Sequence, residues 1–313
     1  MKAIVIEKYG GKDQLKEMEL EQPVPGESQV LVKLHATSVN PIDWKLREGY
    51  LKEMMPFEFP IVLGWDAAGI VEQIGENVKG FKKGDEVFAR PETTNRGTYA
   101  EYTLVDDHLL AFKPKAISFE EAAAIPLAGM TAWQCLFDFG KVKEGDKVLI
   151  HAGSGGVGTY AIQFAKHKGA YVITTASGKN ADFVKSLGAD EVINYKEQDF
   201  EKEVENVAFV LDSMGGEIQK KSFAVLKKGG RMASIVEKPD EELAKEHGVT
   251  AEMVWLEPNG KQLEEIAELL QAKKVKSIVG ETFPLTEQGV KDAHELSESH
   301  HAKGKIVIRM EQA

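Results

Sequence analysis

Apolar and polar residues alternate along this chain in two distinct textures. Up to about residue 120, short segments rich in β-branched residues are broken by glycine and proline, and Gln29 to Leu34, Ile61 to Ile74 and Glu86 to Ala89 are read as strands. Pro25-Gly26, Gly75-Glu76-Asn77, Lys83-Gly84-Asp85 and Arg96-Gly97 supply the residues that tight turns need. This part of the chain is expected to be an antiparallel β domain.

From Ser118 the texture changes. Glu120 to Ala124 is helical in composition, and Lys147 to Ala152 is an apolar run suited to a buried strand. Val157, Tyr160, Ala161, Phe164 and Ala165 then recur at i, i+3, i+4, i+7, i+8, the apolar face of an amphipathic helix. Strands are expected at Tyr171 to Thr175, Glu191 to Asn194, Val207 to Leu211, Arg231 to Val236 and Met253 to Leu256. Helices are expected at Asn180 to Leu187, around Phe223 to Leu226 with a stop at Gly229-Gly230, and at Lys261 to Leu270. Glu237 to Gly248 is charge-rich and reads as a solvated loop or short helix. Repeated βα units imply a doubly wound parallel sheet, hence an α/β fold with a β-rich domain before it. Strand character at Ile306-Val307-Ile308 suggests that the chain returns to complete the first domain's sheet.

At 313 residues the chain is long enough for two domains with a cleft for chemistry. Its net charge of −11, with acidic residues scattered among lysines, argues against nucleic acid or an anionic membrane as partner. The lone Cys135 excludes an intramolecular disulfide, fits a reducing compartment, and lies in an apolar helical stretch where it reads as a core residue. With no apolar stretch near ~18 residues, the default address is the cytoplasm.

The segment with most chemical content is the turn from Gly153 to Gly158. Gly153, Gly155 and Gly158 follow an apolar strand and open an amphipathic helix, the context that turns a weak GxGxxG string into a dinucleotide cradle. Ser154, Gly156 and Val157 add backbone N–H groups for a pyrophosphate at the helix start. At the end of the next strand, where an NAD site carries a carboxylate for the ribose hydroxyls, the chain reads Thr174-Thr175-Ala176-Ser177-Gly178-Lys179-Asn180. Ser177, Lys179 and Asn180 suit a 2′-phosphate, so NADPH is expected rather than NADH. Tyr195 is read either as a further donor to that phosphate or as a surface aromatic.

None of the eight histidines pairs with another at HxxxH or HExxH spacing, and no cysteine cluster exists, so no metal site is expected. No GxSxG elbow supports acyl transfer. Hydride transfer is the chemistry left.

Ser38-Val39-Asn40-Pro41-Ile42-Asp43, Gly64-Trp65-Asp66-Ala67-Ala68-Gly69, Gly97-Thr98-Tyr99-Ala100-Glu101-Tyr102, His151 to Gly158 and Gly304-Lys305-Ile306-Val307 together resemble the medium-chain dehydrogenase/reductase superfamily. The likeness is to its zinc-independent quinone oxidoreductase (zeta-crystallin-like) and alkenal reductase branch. Zinc-dependent relatives carry a cysteine near the Asn40 segment and Gly-His-Glu where this chain has Gly64-Trp65-Asp66. The resemblance implies a GroES-like catalytic domain over residues 1–122 and 266–313 and a Rossmann NADP-binding domain over 123–265. It implies that Asn40 lies beside the nicotinamide ribose and that Thr131 contacts the nicotinamide half of the cofactor. Lys305 is assigned to the cofactor phosphates, to a carboxylate such as Asp66, or merely to a strand start. Tyr50 is the leading proton donor, with solvent as its competitor because a phenol is a weak acid at neutral pH. The candidates for the wall of the substrate pocket are Trp44, Tyr50, Phe57 and Trp65, with core packing the favoured reading for Trp44, Phe57 and Trp65. The resemblance further implies a homodimer through the edge strand of the cofactor sheet. The expected activity is NADPH-dependent reduction of quinones or α,β-unsaturated carbonyls. The alternatives are a non-catalytic NADPH-binding structural or sensing protein and, less favoured, a zinc alcohol dehydrogenase.

Overall fold

The computed structural model describes residues 1–311. The chain divides into two compact units, Met1–Met130 together with the chain from Pro258 onward, and Thr131–Glu257. The expected boundaries near 122 and 265 therefore shift. One crossing falls inside the helix Pro126–Trp133. The helix Gly260–Gln271 joins the first unit because its first residue sits against the backbone of His108, where a Cβ would come within 2.4 Å of the carbonyl oxygen. Residues 312 and 313 of the expected first domain lie outside the described residues.

The first unit is β-rich. A long strand, Gln29–Val39, is antiparallel to Ala67–Ile74, to Tyr102–Asp106 and to Lys305–Arg309, the last pairing Ile306 with Val39 and Ile308 with Thr37. The C-terminal strand does return to complete this sheet. The apolar run from Ile61 to Ile74 is two strands, Ile61–Val62 and Ala67–Ile74. Between them Gly64 adopts φ +84°, a left-handed conformation that a side chain disfavours. A three-stranded sheet of Lys16–Glu19, Lys2–Ile6 and Ile61–Val62 packs into the same core, which includes Ile4, Val32, Leu46, Trp65, Tyr99 and Ile308.

The second unit holds a six-stranded, wholly parallel sheet. Its spatial order is Glu191–Asn194, Tyr171–Ala176, Lys147–Ile150, Val207–Asp212, Leu226–Ser234, Thr250–Met253. Numbered along the chain this is 3-2-1-4-5-6, the doubly wound order whose switch point, between first and fourth strands, is where dinucleotides bind. Two expectations need correction. The helix near Phe223 ends at Val225, and the next strand runs through Gly229-Gly230 with a register break that the glycines accommodate. The edge strand is Thr250–Met253, ending where Met253–Leu256 was expected to begin. The charge-rich segment contains a short helix, Glu241–His247, capped by the Asp240 carboxylate and ended by Gly248.

Candidate functional site

The glycine turn leaves the first strand at the switch point, and its three glycines answer to three different constraints. A Cβ on Gly153 would lie 2.0 Å from Thr174 Oγ1, so tight packing on the neighbouring strand requires glycine there. A Cβ on Gly158 would lie 2.7 Å from Gly153 Cα, so helix and turn approach only without it. At Gly155 a Cβ would meet just Ala152 O at 3.3 Å. Packing within the protein therefore leaves that face open, as close approach of a pyrophosphate requires. The helix Gly156–His167 starts there with no side-chain cap, so the N–H groups of Gly156, Val157 and Gly158 carry the positive end of the helix dipole. These residues fit a dinucleotide phosphate.

A residue outside the expected set, His151, holds the turn in shape. The Thr175 hydroxyl accepts the Ala152 N–H (3.1 Å) and donates to His151 Nδ1 (3.2 Å). Ser222 Oγ donates to Ile218 O, so His151 Nε2–H must donate to Ser222 Oγ (2.9 Å). The imidazole is thus a neutral Nε2–H tautomer, and burial pushes its pKa down to about 4. Ala152 is bent to φ +51° at this point, a conformation that costs a non-glycine residue roughly 1 kcal/mol or more. At the end of the fourth strand the buried Asp212 carboxylate accepts the N–H groups of Met214 and Gly215, the Gln219 amide and the Ser234 hydroxyl, all within 2.9 Å, fixing the loop beside the switch point.

Ser177, Lys179, Asn180 and Tyr195 gather at the ends of the second and third strands, which pair Ala176 with Asn194. Ser177 is buried, Lys179 is exposed on the turn Gly178–Asn180, and Tyr195 is 57% exposed. Asn180 Nδ2 donates to Ser154 Oγ (3.1 Å), tying this group to the glycine turn. Asn194, which sequence reading did not single out, braces the same corner by accepting the Gly178 N–H at 3.1 Å. Thr131 is buried in the helix Pro126–Trp133.

In the first unit Asn40 lies at the centre of a buried cluster. Its Nδ2 donates to Asp66 Oδ2 (2.7 Å), and its Oδ1 accepts from Lys305 Nζ. Asp66 also accepts Ser38 Oγ (2.5 Å) and the Leu127 N–H (2.7 Å), with Lys305 Nζ at 3.7 Å. Lys305 donates to Val39 O as well (2.9 Å), and burial lowers its pKa. Lys305 opens the strand Lys305–Arg309, and its ammonium is engaged within this cluster, 3.7 Å from Asp66 Oδ2.

Beneath Asn40 runs a chain that sequence reading missed. Asp43 Oδ2 accepts the Asn40 N–H (2.8 Å) and the Tyr99 hydroxyl (2.7 Å), while Asp43 Oδ1 is buried without a partner. Burial pushes the Asp43 carboxyl up to about 7. Arg47 Nη1 donates to His294 Nδ1 (3.0 Å), so His294 Nε2–H donates to Tyr99 Oη (3.1 Å). Burial, reinforced by Arg47, keeps His294 neutral, with a pKa near 3. Asp43 and Tyr99 do lie in the segments that carried the family resemblance; nothing local marked Arg47 or His294.

The expected pocket walls separate. Trp65 is fully buried in the core with its indole N–H on Thr94 O (3.2 Å), so it packs and braces a loop instead of lining a pocket. Trp44 is half-buried with its Nε1 enclosed and unpartnered, Phe57 is half-buried against the core, and Tyr50 is 71% exposed with its ring edge-on to Trp44 at 6.4 Å. Among the described residues no group of three or more His, Cys, Asp or Glu could hold a metal ion.

Known proteins resemble this chain over nearly its whole length. Residues 26–115 match the alcohol dehydrogenase GroES-like domain and residues 187–308 the zinc-binding dehydrogenase family. The chain is 37% identical to an NADPH-dependent alkenal/one oxidoreductase, chloroplastic, of Arabidopsis thaliana, over 98% of this chain and 79% of that protein. It superposes on the quinone oxidoreductase of Coxiella burnetii with a TM-score of 0.92 at 37% identity, covering 99% of both chains. It superposes on the Escherichia coli quinone oxidoreductase complexed with NADPH with a TM-score of 0.90 at 30% identity, over 99% of this chain and 100% of that one. The chain belongs to the medium-chain dehydrogenase/reductase superfamily, in its zinc-independent quinone oxidoreductase and alkenal reductase branch.

Proposed function

We propose that this protein is an NADPH-dependent reductase of quinones or α,β-unsaturated carbonyls. The observation that carries the reading is the turn at the switch point, whose open face at Gly155 and uncapped helix amides suit a pyrophosphate. NADPH, when bound, supplies a hydride from its nicotinamide. The chain's own residues bind and orient. The N–H groups of Gly156, Val157 and Gly158 hold the pyrophosphate, with Gly153 shaping the turn and Ser154 alongside. Ser177, Lys179, Asn180 and Tyr195 surround the 2′-phosphate. Thr131 and Asn40 serve the nicotinamide half, and Lys305 and Asp66 orient the Asn40 amide: with Oδ1 and one N–H engaged, one N–H is left to donate. Trp44, Tyr50 and Phe57 supply apolar surface for a planar substrate. Tyr50, exposed beside Trp44, or solvent supplies the product's proton.

Loss of the near-ultraviolet absorbance of NADPH on mixing folded, metal-free protein with small quinones and enones tests the reading. Turnover with at least one of them is expected; binding of NADPH with no turnover on any would leave a non-catalytic binding protein. Faster turnover with NADH would overturn the phosphate-pocket assignment. The same proposal includes a homodimer, supported by the unpaired outer side of Thr250–Met253 beside the 43% exposed Trp255, and read by light scattering. A cytoplasmic address is supported by the single, buried thiol. No helix among the described residues is long and apolar enough to cross a membrane.

A further inference from the structure

The second unit carries a further polar group at the corner assigned to the 2′-phosphate. Asn194 ends the third strand of the parallel sheet and stands opposite Ala176, the last residue of the second. Its backbone is engaged on both sides: the N–H donates to Gln198 Oε1 (2.9 Å), and the C=O accepts the N–H groups of Glu197 and Gln198 (both 2.9 Å). Its side-chain Oδ1 accepts the N–H groups of Gly178 (3.1 Å) and Lys196 (3.3 Å). Both partners are donors, so the amide oxygen faces them and the orientation of the NH2 group is fixed by default.

That NH2 group does nothing for the fold. Among the described residues Nδ2 has no hydrogen-bond partner, and in the half-buried Asn194 it is open to solvent, unlike the enclosed Trp44 Nε1. Gly178 locates it. A Cβ there would lie 3.0 Å from Asn194 Nδ2, so a side chain at this position would press on the amide. Gly178 has no positive φ that would call for glycine, so room for the amide is what its missing side chain supplies. The free donor therefore stands at the residue between Ser177 and Lys179, and the next residue, Tyr195, is tied to the same strand end by its N–H on Ala176 O (3.3 Å).

We propose that Asn194 is a specificity-determining residue whose Nδ2 donates to the 2′-phosphate of NADPH and selects that cofactor over NADH. The inference rests on the NADPH reading above and adds to it a residue and a means of selection. An NAD site carries a carboxylate at the end of the second strand, where it accepts the ribose hydroxyls. Here the neighbouring strand end supplies a neutral isostere of aspartate, which has the same shape but donates. A donor favours a phosphate oxygen, whereas a carboxylate in its place would repel it. Because two backbone N–H groups already hold the amide oxygen, little side-chain freedom is lost when the phosphate arrives.

Asn194→Asp in the full chain keeps an oxygen for Gly178 and Lys196 but replaces the donor with a charge; Asn194→Ala removes the donor and adds no charge. Cofactor dissociation constants are read by fluorescence titration. Alanine should weaken NADPH by about 10- to 100-fold, the usual effect of losing one hydrogen bond to a charged group, and aspartate should weaken it more. NADH affinity should stay within about threefold of the parent in both variants, whereas loss of a mere brace would weaken the two cofactors alike. A preference for NADPH over NADH that is unchanged in either variant overturns the proposal. A second measurement follows the parent itself, with isotopically labelled asparagine. The side-chain amide signal of Asn194, assigned by its absence from either variant, should move on addition of adenosine 2′,5′-bisphosphate and stay in place on addition of AMP. A signal that responds alike to both overturns the proposal equally. If the parent binds NADH as tightly as NADPH, the phosphate-pocket reading itself falls; if it prefers NADPH and the variants keep that preference, only the role of Asn194 falls.

Discussion

Asp43→Asn isolates a buried charge whose cost can be worked from the structure. Asp43 is fully enclosed, one carboxylate oxygen has no partner, and burial raises its pKa from the ordinary 3.8 to about 7 against the opposing help of Asn40, Tyr99 and Lys305. Between about pH 4 and pH 7 the folded protein holds a proton that the unfolded chain has released, so stability falls as pH rises through that window. The slope is at most about 1.4 kcal/mol per pH unit, and the accumulated penalty above pH 7 is of order 4 kcal/mol before relaxation reduces it. His294 and His151 act in the other direction. Held neutral down to about pH 3 and pH 4, they make the fold less stable as pH drops below their ordinary 6.5. The parent's own pH profile therefore mixes opposing slopes, and the difference between variant and parent is the informative quantity. Asparagine keeps an oxygen for the Asn40 N–H and the Tyr99 hydroxyl but carries no charge. Denaturant unfolding of both proteins, followed by circular dichroism from about pH 4.5 to 8.5, should show the variant gaining on the parent as pH rises and levelling off above pH 7. A difference that does not vary with pH would refute the claim that burial of a charge at Asp43 costs stability.

Gly153→Ala would drive a methyl to 2.0 Å from Thr174 Oγ1 and 2.9 Å from Ile162 Cδ1. Overpacking of this kind costs roughly 1–3 kcal/mol, so both thermal stability and NADPH affinity should fall, and Thr174→Ala in the same chain should recover part of each; an unchanged melt and titration would show that the turn has slack. Lys305→Met would strip the ammonium from Asn40 Oδ1 and Asp66. Breaking a buried pair by removing one partner costs about 3–5 kcal/mol, so this variant should be clearly less stable by urea unfolding than Asp66→Asn/Lys305→Met, and the reverse order would argue against a coupled pair.

Much of the second unit could be read from local pattern. The i, i+3, i+4 stripe from Val157 to Ala165 becomes the helix Gly156–His167, and the apolar run before the glycines becomes the central strand, because each records which side of its own backbone meets the core. Local reading failed where a residue's meaning depends on distant chain. Gly229-Gly230 looked like a helix stop but lies inside a strand, since the partner Val207–Asp212 decides the pairing. Trp65, a candidate pocket wall as well as a core residue, lies in the core between the strands on either side of it.

Local sequence was enough to read the two textures, the glycine turn between strand and helix and the absence of a carboxylate at the end of the second strand. Those features are carried by neighbouring residues and by short-range geometry. The surroundings of Asn40 come from distant parts of the chain. Asp43 meets Tyr99 across 56 positions, Tyr99 meets His294 across 195, and Arg47 meets His294 across 247. Protonation follows the same division: a carboxyl, an imidazole or a guanidinium has its ordinary chemistry until folding removes water and selects its partners, and no periodicity along the chain encodes which partners those are.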